Sequence, residues 1–268
     1  MQRALIAGLA VAMTCAILGV FLILRKDAMI GHGLAHVTFG GVALGLFVHV
    51  PPILAAMGVA VLAALGILKL REKAGLYEDT ALGIFASVGM AIGIILVSLA
   101  GSFNVNLLGF LFGNILAIET FEVWVSLALT VAVLLTVSLF YHELFYLTFD
   151  PESAATSGIK VKRLEALLAV LSAITVVLGM KVVGILLVAA LIVIPSAAGL
   201  MLAGSFRQAM VISAIVSIVS VFWGLLAAFY WDLPASGATV ILSFLFFLIL
   251  FSVRILTRHV RRETKEMR

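Results

Sequence analysis

The chain has 268 residues, of which 64% are hydrophobic and 11% charged, and its mean hydropathy is +1.30. A soluble domain carries roughly 25% charged residues, so this composition excludes a soluble globular protein and predicts a polytopic α-helical membrane protein. The formal net charge of +4 is modest and lies in loops and the tail, which indicates membrane topology and no nucleic-acid partner.

Uncharged stretches long enough to cross a bilayer recur along the chain, since one helical crossing needs about 20 apolar residues. Residues 4–24 form one span, and residues 33–68 suffice for two, with Pro51-Pro52 at the turn. Further spans are predicted at about 81–100, 123–142, 164–180, 182–203, 209–230 and 236–255, with a shorter re-entrant piece at about 107–118. The predicted fold is an all-α transmembrane bundle of about eight to nine spans plus that re-entrant helix, in a single domain over residues 1–268.

Lysine and arginine cluster at 25–26, at 69–73, at 160–163 and in the tail from Arg254. The positive-inside tendency places these segments in the cytoplasm. Alternation of the spans then requires that 107–118 does not fully cross, and it puts the N-terminus outside, although Arg3 weakly favours the opposite orientation.

A histidine pair lies at the start of the second span. His32 and His36 are four residues apart, so on a helix both imidazoles share one face and can bind one divalent ion. Ionisable groups at membrane depth usually mark a site or a pathway. Asp27 is a candidate third ligand, with a helix N-cap as the alternative reading. An immediate helix would keep His32 near the cytoplasmic surface, whereas an unwound 27–31 segment would place it towards the midplane.

The largest hydrophilic loop, 142–163, contains the signals of a short helix. Asp150-Pro151 marks its start and Gly158 its end, because proline favours the first helical position and glycine the position after the last. We interpret this helix as a docking element on the cytoplasmic face.

Together these segments resemble the membrane subunits of ABC importers for zinc and manganese. The sequence from Gly31 through His32 and His36 to Gly41-Val42-Ala43 is similar to the family's G-D-x-x-x-H motif and its G-V-A continuation. Four further segments are similar to family segments. Residues 107–117 are similar to F-G-D-L-L, with Asn114 where the family has an acidic residue, and 149–160 are similar to the family's cytoplasmic coupling segment. Residues 180–198 are similar to the V-G-x-L-L…I-P-A helix, and 231–240 to the D-x-P-x-G segment.

The resemblance implies a homodimeric permease of the prokaryotic plasma (inner) membrane that opens alternately to each side. A cytoplasmic ABC ATPase dimer would supply energy, an extracytoplasmic metal-binding protein would deliver the ion, and membrane lipid would surround the bundle. The sequence has no G-x-x-x-x-G-K-[ST] phosphate loop, so we expect no enzyme activity and no tightly bound cofactor, with Zn²⁺ as transported substrate.

Particular residues take roles from this resemblance. Glu119 and Glu122 are interpreted as a solvated outer loop end, with contact to the delivering protein as the alternative. Metal binding is assigned to His32, His36 and Asp27; coupling to the ATPase to Asp150, Pro151, Glu152 and Gly158; and structural or gating roles to Gly41, Asn114, Pro195, Asp232, Pro234 and Gly237.

The departures from the family pattern predict the ion. His32 stands where the family has aspartate, and Asn114 also replaces an acid. Imidazole suits Zn²⁺ whereas Mn²⁺ prefers oxygen, so zinc is predicted, with Mn²⁺ or Fe²⁺ as alternatives.

Three other functions compete with this one. An ion-coupled secondary carrier or channel would need no docking loop. An intramembrane metalloprotease with the H-E-x-x-H motif would need glutamate where this chain has Gly33. An interaction-only subunit would leave the paired histidines without a role.

Overall fold

The computed structural model describes residues 2–99 and 118–266. All regular secondary structure in these two ranges is α-helical. The helices are α1 (Gln2–Leu24), α2 (Ile30–Val48), α3 (Pro52–Ala74), α4 (Glu78–Leu99), α5 (Thr120–Leu139), α6 (Tyr141–Phe149), α7 (Pro151–Thr156), α8 (Val161–Val183), α9 (Ile185–Leu202), α10 (Phe206–Tyr230) and α11 (Ala235–Glu266).

The predicted transmembrane bundle is confirmed. Eight of the described helices (α1 to α5, α8, α10 and α11) are long and apolar enough to cross a membrane, and a shorter apolar helix lies at Leu187–Leu202 in α9. Pro51 and Pro52 separate α2 from α3, as predicted. The predicted re-entrant piece at 107–118, apart from Ile118, lies outside the described residues.

Helix α1 lies in the centre of the bundle, and three other helices donate hydroxyl groups to its carbonyl oxygens. Thr130 of α5 donates to the carbonyl of Ala10 at 3.1 Å, Ser217 of α10 to that of Ala12 at 2.9 Å, and Ser196 of α9 to that of Ala16 at 3.0 Å. Such hydroxyl bonds hold apolar helices together where hydrophobic burial alone does not distinguish protein from lipid.

Helix α2 packs between α3 and α4 through glycines. A Cβ atom on Gly40 would lie 2.4 Å from the backbone oxygen of Gly89 in α4. On Gly41 it would lie 2.7 Å from the Cα of Ala56 in α3. These close approaches fix the rotation of α2 about its axis, and therefore the direction in which its histidines point.

Three of the four segments predicted to be cytoplasmic meet at one end of the bundle. Arg25, in the turn between α1 and α2, donates through Nη2 to Glu165 Oε1 of α8 at 2.6 Å. Near it, Lys162 of α8 forms an ion pair with Glu72 of α3. This end therefore joins the α1–α2 turn, the end of α3 and the start of α8.

An ion pair between Lys181 and Glu122 marks the opposite end of the bundle, because it joins the end of α8 to the start of α5. Helix α4 packs beside α2 and runs in the same direction, antiparallel to α3. It therefore ends on that opposite side. Helices α4 and α5 therefore end and begin on the same side, as the predicted alternation requires.

Sequence reasoning missed α6 and left the residues after the predicted span 123–142 as loop. Leu144 and Leu147 of α6 are fully buried, and Phe145 packs edge-to-face on Phe206 of α10 with ring centroids 5.4 Å apart. This tertiary packing stabilises a nine-residue helix that would be marginal in isolation.

Candidate functional site

The imidazoles of His32 and His36 lie against each other on one face of α2. Their Nε2 atoms are 3.2 Å apart, and the rings are edge-to-face with centroids 4.7 Å apart. Two nitrogen ligands of a tetrahedral Zn²⁺ lie about 3.4 Å from each other. If the metal–nitrogen bonds have the same length, two cis ligands of an octahedral ion lie about 3.0 Å from each other. The observed separation falls between these values, so little movement is needed for both rings to bind one divalent ion.

The position of the pair follows from where α2 begins. The helix begins at Ile30, directly after the turn that follows α1. With a rise of about 1.5 Å per residue, His32 and His36 lie about 3 and 9 Å along the axis from that start. Residues 25–29 form a non-helical turn and Ile30 and Gly31 are already helical, so the unwound segment is shorter than the predicted alternative of 27–31, and the pair lies in the half of α2 nearer the predicted cytoplasmic side.

The two histidines differ in their surroundings. His32 is exposed, whereas His36 is half-buried and its Nδ1 atom has no hydrogen-bond partner within the described part of the chain. A metal bound by both Nε2 atoms places the ring protons on the Nδ1 atoms. His36 Nδ1–H would then be buried without an acceptor, which weakens metal binding at this ring.

Asp27 does not lie with the pair. Its carboxylate binds Arg25 Nε at 3.2 Å and lies 3.7 Å from Arg71 Nη1, and its side chain is 7% exposed. Within residues 2–99 and 118–266, no group of three or more His, Cys, Asp or Glu side chains is placed to hold a metal ion. The N-cap reading is also wrong, because the N-cap of α2 is Met29, without a side-chain cap hydrogen bond.

The predicted docking helix is present as α7. Asp150 caps it: Oδ1 accepts from the Ser153 amide at 3.0 Å and Oδ2 from the Ser153 hydroxyl at 2.5 Å. The Ser153 hydroxyl hydrogen bond, followed by the amide bond, lowers the pKa of Asp150 below its usual value. Pro151 occupies the first turn beside exposed Glu152, and Gly158 has φ +84° after the helix. These residues form an exposed, internally braced surface at the predicted cytoplasmic end.

Of the described residues that were predicted to have structural or gating roles, Gly41 lies on α2 with the histidine pair and the others lie on other helices or turns. Asp232 has φ +49° in the turn between α10 and α11, and Pro234 accepts a backbone hydrogen bond from Ala238 at 3.1 Å. Gly237 lies inside the first turn of α11 and not in the turn itself. Pro195 is buried inside α9. Asn114 lies outside the described residues.

Sequence reasoning missed two partly buried ion pairs. Glu122 is 4% exposed and pairs with Lys181, so the reading of this residue as a solvated loop end is wrong. Arg25 and Glu165 were not predicted to meet, because they belong to spans that are distant in the sequence. The signal that could have found both pairs is a charged residue placed at the very edge of an uncharged span, where burial requires a partner.

Comparison with known proteins gives matches over nearly the whole chain. The ABC 3 transport family matches residues 1–254. The manganese transport system membrane protein MntC of Halalkalibacterium halodurans is 33% identical, with 100% of this chain and 93% of that protein covered. The high-affinity zinc uptake system membrane protein ZnuB of Haemophilus influenzae is 34% identical, with coverages of 92% and 95%.

A solved structure agrees with these sequence matches. PsaBC from Streptococcus pneumoniae in complex with Fab superposes with a TM-score of 0.83 at 30% identity, covering 93% of this chain and 90% of that one. The resemblance carried by the motifs and the all-α membrane fold are both confirmed.

Proposed function

The chain belongs to the ABC 3 transport family of multi-pass metal-importer permeases, and we propose that Zn²⁺ is the ion it takes up, through transient binding to His32 and His36. The observation that carries this proposal is the 3.2 Å separation of the two Nε2 atoms. It supports a two-nitrogen chelate on the helix that carries the family-like motif.

The donor atoms favour zinc over manganese. Both donors of the pair are imidazole nitrogens, and the nearest upstream carboxylate, that of Asp27, is engaged by Arg25 and Arg71. Zn²⁺ accepts imidazole readily, whereas Mn²⁺ favours carboxylate, carbonyl and water oxygens. The relatives carry names of both manganese and zinc systems, so the preference rests on these donors.

The pair suits passage of an ion better than its storage. Two imidazoles fill half of a tetrahedral coordination sphere, whereas structural zinc sites use four protein ligands. Metal binding also leaves the Nδ1–H of His36 without an acceptor in the described residues. Both features weaken binding, and a transport site must release its ion.

The permease would work in the plasma membrane as a homodimer with separate partners. A cytoplasmic ATPase pair would dock on α7 and drive alternating access, and an extracytoplasmic metal-binding protein would deliver the ion. The exposed, capped helix α7 supports the docking role.

The test is ATP-driven uptake in vesicles that contain the permease and its cytoplasmic ATPase, with the extracytoplasmic metal-binding protein supplied on the outside. We expect ⁶⁵Zn uptake that requires ATP and that excess unlabelled Zn²⁺ suppresses more strongly than equal Mn²⁺ or Fe²⁺. Stronger suppression by Mn²⁺ would replace zinc by manganese as the substrate. Equal uptake without the ATPase would show a secondary carrier and overturn the proposal.

A further inference from the structure

Backbone hydrogen bonds and a central group of ion pairs connect α7 to the helix that carries the histidine pair. At its centre, Arg25 Nη2 donates to Glu165 Oε1 at 2.6 Å while Arg25 Nε donates to Asp27 Oδ2 at 3.2 Å. The guanidinium thus holds α8 with one nitrogen and the α1–α2 turn with another. The Arg25 and Asp27 side chains are only 9% and 7% exposed, so solvent screens the Arg25–Asp27 contact weakly, whereas the Glu165 side chain is 28% exposed.

On the cytoplasmic side, the contacts lead to α7. The Ile159 amide donates to the Ala154 carbonyl of α7 at 3.1 Å, and the Lys160 carbonyl accepts the first hydrogen bonds of α8. Glu165 lies near the start of α8, in the same helix as Lys162, which pairs with Glu72 of α3. A short hydrogen-bonded connection therefore joins α7 to the start of α8.

On the other side, the contacts lead to His32. The Asp27 amide donates to the Leu22 carbonyl at 2.8 Å, and the Asp27 carbonyl accepts from the Ile30 amide at 3.0 Å. Ile30 is the first residue of α2, and His32 lies in the first turn of that helix. The Arg25–Asp27 unit is therefore hydrogen-bonded directly to the start of α2.

The cluster has the features of a contact that can rearrange. Asp27 Oδ1 and Arg25 Nη1 are buried without hydrogen-bond partners within the described ranges. The Arg71 guanidinium lies 3.7 Å from Asp27 Oδ1, beyond hydrogen-bond distance. A cavity of about 550 Å³ adjoins the cluster, lined in part by Lys69, Arg71, Lys162 and Glu165. Asp27 Oδ1 and Arg25 Nη1 could each accept or donate a further hydrogen bond, and the adjoining cavity leaves room for these charged side chains to adopt a second arrangement.

We propose that the Arg25–Glu165 ion pair, together with Asp27, transmits movement of the ATPase-docked α7 to the metal-binding start of α2. These are positioning residues, since they lie apart from the metal ligands. The inference rests on the proposed function, because it assumes that α7 docks the ATPase and that His32 and His36 bind the ion.

The test compares Glu165→Ala and Glu165→Gln with the wild type in vesicles that contain the ATPase. Alanine removes the acceptor for Arg25 and leaves Arg25 paired with Asp27, whereas glutamine keeps an acceptor oxygen in place. We measure ⁶⁵Zn taken up per ATP hydrolysed, and separately the Zn²⁺ affinity of the purified permease. Because coupling free energies usually correspond to fivefold effects or more, we expect Glu165→Ala to lower the uptake-to-hydrolysis ratio at least about fivefold.

The expected pattern separates a coupling role from a structural one. Glu165→Gln should retain an intermediate ratio, and Zn²⁺ affinity should stay at the wild-type value in both variants. The control is Glu122→Gln combined with Lys181→Gln, which removes the ion pair at the other end of α8 and should leave the ratio unchanged.

Two results would overturn the inference. One is a wild-type ratio in Glu165→Ala. The other is a parallel loss of Zn²⁺ affinity and uptake, which would make the pair a mere support of the binding site. Failure of the proposed function has a different signature, because the wild-type protein itself would then show no ATP-driven zinc uptake.

Discussion

The Nε2 atoms of His32 and His36 face each other at 3.2 Å, so the two rings are within hydrogen-bond distance of each other. One ring donates and the other accepts, since a neutral imidazole carries a single N–H. A divalent ion would replace that shared proton and bind both nitrogens. Helical spacing is therefore enough to bring the two nitrogens together.

The rotation of α2 depends on its glycines, and Gly41→Ala tests this dependence. The new Cβ would lie 2.7 Å from the Cα of Ala56, so α2 and α3 must separate. Overpacking of this kind costs about 1–3 kcal/mol. We expect a lower thermal unfolding midpoint in detergent and reduced zinc binding. Gly58→Ala is the matched control, because nothing lies within 4 Å of its added Cβ. Equal midpoints for the two variants would contradict the packing role of Gly41.

The cap of α7 should control coupling to the ATPase. Asp150→Ala removes both hydrogen bonds from Ser153, so the start of α7 loosens. We expect ATP hydrolysis to continue while zinc uptake per ATP falls. Asp150→Asn should keep most of the coupling, because asparagine caps helices nearly as well as aspartate. If alanine and asparagine behave alike, the cap is not what positions the docking helix.

The same cap predicts a pH dependence. The pKa of Asp150 is lowered in the folded protein, first by the Ser153 hydroxyl and then by the Ser153 amide. The stabilisation is therefore present above the unfolded pKa of about 3.9 and is lost as the pH falls through the lower folded value. Ser153→Ala should raise the pKa of Asp150. Carboxyl titration by NMR would show this upward shift, and an unchanged midpoint would exclude the hydroxyl as its cause.

The buried pair at the outer end should show the cost of an unpaired charge. Lys181→Met leaves the Glu122 carboxylate, 4% exposed, without this cationic partner. Breaking such a pair costs about 3–5 kcal/mol, whereas neutralising both partners is often tolerated. We expect a large drop in the unfolding midpoint for Lys181→Met and partial recovery when Glu122→Gln is added. Additive losses in the double variant would mean that the two side chains do not interact energetically.

The sequence predicted the helices far better than the contacts between charged side chains. Spans follow from local hydropathy, so the range 209–230 anticipated α10 closely, and 236–255 matches the apolar part of α11, which continues to Glu266. The pairing of Arg25 with Glu165 depends on how distant helices pack, which no local pattern contains. Helix α6 was missed for the same reason, since Phe206 of a later helix covers its aromatic face.

The histidine pair was predictable because its geometry is local. Spacing on one helix determines the approach of His32 to His36, and the structure adds their distance and their unequal burial. Asp27 is close in sequence, but its side chain is held by Arg25 and Arg71, and those contacts could not be read from spacing.

Zinc uptake by His32→Gln and His36→Gln tests the metal site most directly. The control is His49→Asn. His49 lies at the C-cap of the same helix with φ +60°, and asparagine tolerates this conformation. Loss of an outer-sphere partner alone costs 10–100-fold at metal sites, so each ligand substitution should lower ATP-driven ⁶⁵Zn uptake at least about tenfold. The control should transport at the wild-type rate. Wild-type uptake in both His32→Gln and His36→Gln would contradict binding of the transported ion by this pair.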